Sequence, residues 1–335
     1  VDFDNLSFGS VFTDHMLECN YKDGQWQTPK VVPYQPITLD PSAKIFHYGQ
    51  SIFEGMKAYK DKNDDVFLFR PMDNCKRLNI SAKRLAIPEI PESFFMEGLK
   101  TLLKVDRDWI PKKDGSSLYI RPFMFATDEY IGVRPSDNFT FMIITSPVGA
   151  YYSHPVRVKI EKHFTRAVKG GTGYAKTAGN YAASLYPAKL AQQDGYDQLI
   201  WTDGQNHEYI EESGTMNILF MIDGTLVTAP TGDTILRGIT RDSVLTLAKD
   251  WGVPVEERPI SVTELVGALE SGRVNEAFGV GTAATIAHIS TIANDGIDYD
   301  LPMGDSWEFS NKVLKTLDGI KTGKLEDKFN WNLRI

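Results

Sequence analysis

The stretch KGGTGYAKTAGNYAASLYPAK, Lys169 to Lys189, carries a single charge between its terminal lysines: Lys176, set among Gly, Ala, Thr, Ser and Tyr. Lysine ordinarily keeps its ammonium in water, so small neighbours on both sides point to a tight turn or to a bulky group filling the space beside it. An amine that loses hydration among small and apolar groups gives up its proton more easily and can condense with a carbonyl. Taken alone, the same lysine also fits an ordinary loop position, and the rest of the chain must decide.

At 335 residues the chain has room for one large domain or two ordinary ones, each with its own core. Its net charge is −8, and no run of Lys or Arg interleaved with aromatics occurs, which argues against nucleic acid and anionic membranes as partners. The opening VDFDNLSFGS has neither a basic segment nor an apolar core, and no apolar stretch reaches membrane-spanning length, so the chain reads as cytoplasmic. Cys19 and Cys75 have no metal or redox spacing, and the six histidines show no close ligand spacing, so no metal site is expected.

Up to about residue 70 the pattern favours strands and hairpins, with KDG at 22–24 and KNDD at 62–65 as turns. Two helices follow, NCKRLNISAKRL from Asn74 and ESFFMEGLKTLLKV from Glu92, the latter with Phe95, Leu99, Leu102 and Leu103 on one face. SSLYIRPFMFA and NFTFMIITSPVG return to strand character, and no regular βαβ alternation develops, which argues against a doubly wound sheet. The Gly, Pro and Ser gathered in SPVGAYYSHP mark a linker over 151–158 between a small domain, 1–150, and a larger one, 159–335. The second half opens on the strand VRVKIEKHF and continues with a helix from about Asn180 to Gln193. TMNILFMIDGTLVTAP reads as a hairpin turning at Asp223-Gly224, GITRDSVLTLAKDWG as a helix with Thr240 as its N-cap, and VNEAFGVG as a strand.

GVGTAA, 279–284, fits a dinucleotide fingerprint, but that fingerprint needs a helix directly after it, and TIAHISTI is rich in β-branched residues instead. Other parts suit a carbonyl cofactor such as pyridoxal phosphate, which needs a carboxylate for its ring nitrogen and donors for its phosphate. YIEESGTMN offers Glu211 and Glu212 at the edge of a strand, RGITR offers amides at a helix start, and GVGTAA offers a second turn that a phosphate can approach closely.

AKTAGNYAAS, EESGTMN, LRGITR and FGVGTAA, in that order, resemble the branched-chain amino acid aminotransferases, which are fold-type IV pyridoxal-phosphate enzymes. FGSVFTDHM, FHYGQSIFEGMKAY, LFRPMDNCKRL, SLYIRPFMFA and SPVGAYY resemble the small domain of that family, also in order, so the likeness spans nearly the whole chain. It implies a mixed α/β fold, a small N-terminal domain followed by a larger pseudo-barrel domain, and a homodimer with each active site between the domains and completed by the other subunit. It also implies reversible, ping-pong transfer of the amino group of L-leucine, L-isoleucine or L-valine to 2-oxoglutarate. D-amino acid aminotransferase and aminodeoxychorismate lyase share the fold type and are the alternatives.

By the same resemblance, Lys176 of K-x-x-G-N-Y holds the cofactor as an aldimine and carries the Cα proton, which gives its small neighbours a purpose: room for the pyridoxal ring. Tyr181 matches the residue that bonds the phenolic oxygen and Glu212 the partner of the pyridine nitrogen, with Glu211 expected to face away. Arg77, Ile239, Thr240 and Thr282 match the phosphate site. The substrate wall falls on Phe8, Phe53, Tyr119, Tyr151 and Thr215, with Tyr48 and Val133 from the partner subunit; Arg121 would take the γ-carboxylate of glutamate and the Ala283 amide would sit near the α-carboxylate. Where mammalian members carry a Cys-x-x-Cys pair this chain has Ala284 and Ala287, so thiol regulation of that kind is not implied.

Overall fold

The computed structural model describes residues 6–149 and 154–335, apart from the side chain of Asp305. The chain divides into two compact units, one comprising 1–151, 175–179 and 318–335, the other 152–174 and 180–317. The first therefore gathers both the lysine segment and the C-terminal residues, which the division drawn from sequence places in the second.

In the first unit the strands are β1 (His15–Lys22), β2 (Gln25–Trp26), β3 (Lys30–Pro33), β4 (Ser51–Phe53), β5 (Met56–Lys60), β6 (Val66–Phe69), β7 (Ser117–Ala126) and β8 (Phe139–Val148), with helices α1 (Lys44–Tyr48), α2 (Pro71–Arg84) and α3 (Glu92–Val105). The second unit continues with β9 (Val156–Ile160), α4 (Ala178–Gln193), β10 (Gln198–Thr202), β11 (Ile210–Ser213), β12 (Met216–Ile222), β13 (Thr225–Thr228), α5 (Ile239–Asp250), β14 (Val255–Glu257), α6 (Val262–Glu270), β15 (Val274–Gly281), β16 (Thr285–Asn294) and β17 (Ile297–Asp300). The chain ends with α7 (Glu308–Lys321) and β18 (Asn332–Arg334).

Turn chemistry sets the first sheet. Asp23 and Gly24 both take positive φ, 52° and 77°, the geometry that lets a two-residue turn join β1 to β2 in register Lys22↔Gln25. The sheet runs β18-β6-β5-β7-β8-β1-β2, with β3 on β1 and β4 on β7. Pro71, whose missing amide costs nothing at a helix start, opens α2. The expected α3 face is the one buried: Phe95, Leu99, Leu102 and Leu103 join Leu78, Leu118, Ile120 and Phe141 in one core. β18 pairs with β6, Leu333 opposite Leu68, which is the physical reason that the C-terminus belongs to this unit.

The second sheet closes on itself. The order β11-β10-β9-β16-β15-β12 is completed by β11–β12 pairing, while β13 and β14 extend from β12. Six strands thus form the pseudo-barrel, and β12 is buried along its whole length, as an inner wall requires. Asp223 and Gly224 form the expected β12–β13 turn, with φ of 49° and 77°. GVGTAA runs from strand to strand with no helix after it. α4 begins two residues before the expected start, at Ala178. Thr240 is not the N-cap of α5: extended Gly238 is, because a Cβ there would run into the Asn217 side-chain oxygen, leaving Thr240 buried within the first turn. Among the described residues no helix is long and apolar enough to cross a membrane.

Candidate active site

In the first unit Lys176 lies against the edge of β4. Its amide donates to the Ser81 hydroxyl at 2.9 Å, its carbonyl accepts from the Phe53 amide at 3.0 Å, and Thr177 bridges to Ile52. The side chain is thereby aimed from a fixed backbone, with Nζ 4.9 Å from the centre of the Phe53 ring. Arg121 stands over the same ring at 4.6 Å and over Tyr119 at 5.3 Å, and its Nη2 donates to the Tyr119 hydroxyl at 2.8 Å. Tyr119 and Arg121 alternate along β7 and so share a face. Phe8 meets Tyr119 edge-on at 4.8 Å, and Gly55 leaves space that a Cβ would take from the Tyr119 hydroxyl. An amine, a guanidinium and three aromatic rings are therefore assembled in one place.

Behind Phe53, Glu54 is fully buried and accepts from Arg77 Nε at 2.7 Å, Arg77 Nη2 at 2.9 Å and Asn74 at 2.8 Å. Burial alone would raise the Glu54 carboxyl, but the charge and hydrogen bonds of Arg77, the Lys176 ammonium and the Asn74 amide together hold it below its ordinary range. Arg77 is thus fixed by a bidentate partner that sequence reasoning did not single out, although FEG supplies it. Tyr48 and Val133 are exposed, the Tyr48 hydroxyl donating to the Ile131 carbonyl. Tyr151 lies outside the described residues.

In the second unit strand register assembles the other half of the expected set. Glu212 is opposite Asn217, and Asn217 is opposite Val280, so the carboxylate of β11 and the strand that leads into the turn bearing Thr282 and Ala283 flank β12 on its two sides. Glu212 is buried; Oε1 accepts from the Leu236 amide at 2.7 Å and Asn217 Nδ2 at 3.2 Å, and Oε2 faces Arg166 Nε at 2.9 Å. Arg166 in turn donates to the Thr234 carbonyl at 2.7 Å and the Gly173 carbonyl at 3.3 Å. Sequence reasoning missed Arg166; the only signal was an arginine ten residues before the lysine. Glu211 is buried too, and has no such partner: burial first, then the charge of Glu212, pushes its carboxyl up, against a hydrogen bond from Thr234 and the pull of Arg166. Of the two candidates, Glu212 is the one that faces a guanidinium in an ion pair.

Asn180 fixes the turn before Tyr181, accepting from the Thr172 hydroxyl at 2.7 Å and donating to the Thr172 carbonyl at 2.9 Å. Tyr181 is half-buried in the first turn of α4, Thr215 is exposed in the β11–β12 turn, and Ile239 opens α5. Among the described residues no group of three or more His, Cys, Asp or Glu could hold a metal.

The model of the family described as amino-transferase class IV matches residues 38–292. Branched-chain-amino-acid aminotransferase 2 of Bacillus subtilis (strain 168) is 47% identical over 338 residues, covering 100% of this chain and 93% of that protein. Among solved structures, the branched-chain aminotransferase of Thermoproteus uzoniensis with norvaline matches at a TM-score of 0.79 and 27% identity, over 96% of this chain and 99% of that one. The branched-chain amino acid aminotransferase from Escherichia coli matches at a TM-score of 0.76 and 27% identity, over 96% of this chain and 98% of that one.

Proposed function

We propose a reaction for this chain, which belongs to the branched-chain amino acid aminotransferases of the class IV family: transfer of the amino group of L-leucine, L-isoleucine or L-valine to 2-oxoglutarate, with pyridoxal 5′-phosphate as cofactor. The observation that carries this reading is the group Lys176, Phe53, Tyr119 and Arg121, an amine beside ring walls with one guanidinium among them. An aliphatic side chain needs such walls, and the side chain of glutamate needs the cation.

The donor set fits the cofactor. The first unit offers a primary amine; the second offers a phenol, a carboxylate pinned by an amide and a guanidinium, and a helix start where only a glycine fits. When bound, pyridoxal phosphate supplies a carbonyl that takes up the amino group and a ring that accepts the electron pair left at Cα. Lys176 Nζ would hold the cofactor and, as a free amine, would take the proton from substrate Cα. Glu212, facing Arg166 in an ion pair, would pair with the ring nitrogen, and Tyr181 would bond the phenolic oxygen. Arg77, the amides of Ile239 and Thr240, and the Thr282 hydroxyl would hold the phosphate. Phe8, Phe53, Tyr119, Tyr151 and Thr215 exclude water around the side chain, Arg121 takes the γ-carboxylate, and the Ala283 amide takes the α-carboxylate.

A homodimer belongs to the same reading, with Tyr48 and Val133 serving the partner's site. Exposed Phe46, Tyr48, Tyr130, Ile131 and Val133 support it, since large apolar groups on α1 and the neighbouring loop are costly to leave in water. The reaction is tested by incubating the purified protein with 2-oxoglutarate and either L-leucine or D-alanine. Glutamate formed from L-leucine alone is the expected result; glutamate from D-alanine, or none from either, refutes the assignment.

A further inference from the structure

The β15–β16 hairpin turns through Thr282, Ala283 and Ala284, with Gly281 paired to Thr285 across it. Thr285 has φ of +60°, and the Ile286 amide donates to the Ala284 carbonyl at 2.8 Å, closing a γ-turn on Thr285. A γ-turn of this hand is rare and strained, and β-branched residues are among the least tolerant of positive φ. Yet Thr285 is buried. The strand before the turn is closely packed as well: a Cβ at Gly279 would lie 2.6 Å from Met216 Cε. A costly backbone persists only where its surroundings over-determine it, and such residues concentrate at ligand clamps.

We propose that Thr285 is a positioning residue whose buried side chain pins the γ-turn, and so holds Thr282 and Ala283 in the one arrangement that presents their donors to anionic groups. This rests on the reading above, in which Thr282 serves the cofactor phosphate and Ala283 the substrate carboxylate. The role runs through the backbone: a hairpin of three turn residues has few conformers, and fixing φ at its last position selects among them.

Thr285→Gly separates the role from plain packing, because glycine takes the same φ without steric cost but loses the pin. The cofactor-stripped full chain should then melt higher, by about 2 °C, as strain is relieved. At the same time its Kd for pyridoxal phosphate should rise about tenfold, as for a turn that is competent only about a tenth of the time. Thr285→Asn, which tolerates the left-handed region, should keep Kd within about threefold of the parent. Opposite signs for melting and affinity are the signature. An unchanged Kd in Thr285→Gly, or a fall in melting temperature together with the affinity, overturns the inference. Thr282→Ala tests the underlying reading separately. Unchanged affinity there refutes the phosphate assignment, whereas weaker binding in Thr282→Ala with none in Thr285→Gly refutes the inference alone.

Discussion

Arg121→Met separates the two substrates by charge alone. In the parent, Arg121 stacks on Phe53 and Tyr119 and donates to the Tyr119 hydroxyl. Methionine retains much of the stacking, and the lost hydroxyl bond, worth about 1 kcal/mol, is lost for every substrate and cancels in the ratio. What does not cancel is the pairing of the guanidinium with the γ-carboxylate of glutamate. Two unit charges about 4 Å apart at an effective dielectric of about 20 attract by about 4 kcal/mol, and desolvation offsets part of this, leaving about 2 to 4 kcal/mol. At about 1.4 kcal/mol per tenfold, glutamate should slow by about 30-fold to 1,000-fold, while leucine stays within about tenfold of the parent. Separate half-reactions with each amino acid, followed by cofactor absorbance, read the two barriers without a coupled assay. Equal losses for both would show that Arg121 supports Tyr119 and the fold, and that the γ-carboxylate pairs elsewhere.

Glu212→Gln keeps the shape and the Leu236 contact but removes the charge facing Arg166, so the variant should retain bound cofactor and lose about a hundredfold or more in the rate of Cα–H cleavage, measured with deuterated leucine. Glu211→Gln should do less damage, since burial and the charge of Glu212 already push its carboxyl up, so less charge is removed; the reverse order would reverse the assignment. Lys57 carries a pH prediction. Burial first, then the like charge of Lys321, lowers its amine to about 7 from 10.5, so between these values the unfolded chain binds more protons and stability rises with pH. Lys57→Met should therefore gain more in melting temperature below pH 7 than near pH 10, and an equal gain at both would show that the amine titrates normally.

The fold was legible where local chemistry dominates. α3 matches its expected span because four apolar residues at helical spacing meet the first core, and Asp23-Gly24 and Asp223-Gly224 form turns because only such residues take two successive positive φ values cheaply. Elements held by distant partners were not legible. β18 depends on the pairing of Leu333 with Leu68, which no local pattern announces; α7 did carry one, with Phe309, Val313, Leu317 and Ile320 at helical spacing and buried, that the sequence reading left unused. For the candidate site, motif order singled out Lys176 and Glu212 but not the groups that fix them. Arg166 reaches Glu212 from 46 positions away in sequence, and Glu54 meets Arg77 only because β4 and α2 pack together. Strand alternation proved too coarse for Glu211, since both faces of β11 are buried.

The central claim is that Lys176 is the amine that holds the cofactor. Lys57, whose amine is lowered to about 7, is its rival within the same unit. Borohydride reduction of the purified protein with pyridoxal phosphate, followed by peptide mass spectrometry, fixes the attachment point covalently. The expected result is one pyridoxyl group on the peptide containing Lys176, abolished in Lys176→Ala together with turnover. A pyridoxyl group on Lys57 or Lys189, or a Lys176→Ala variant that still converts leucine, would contradict the account.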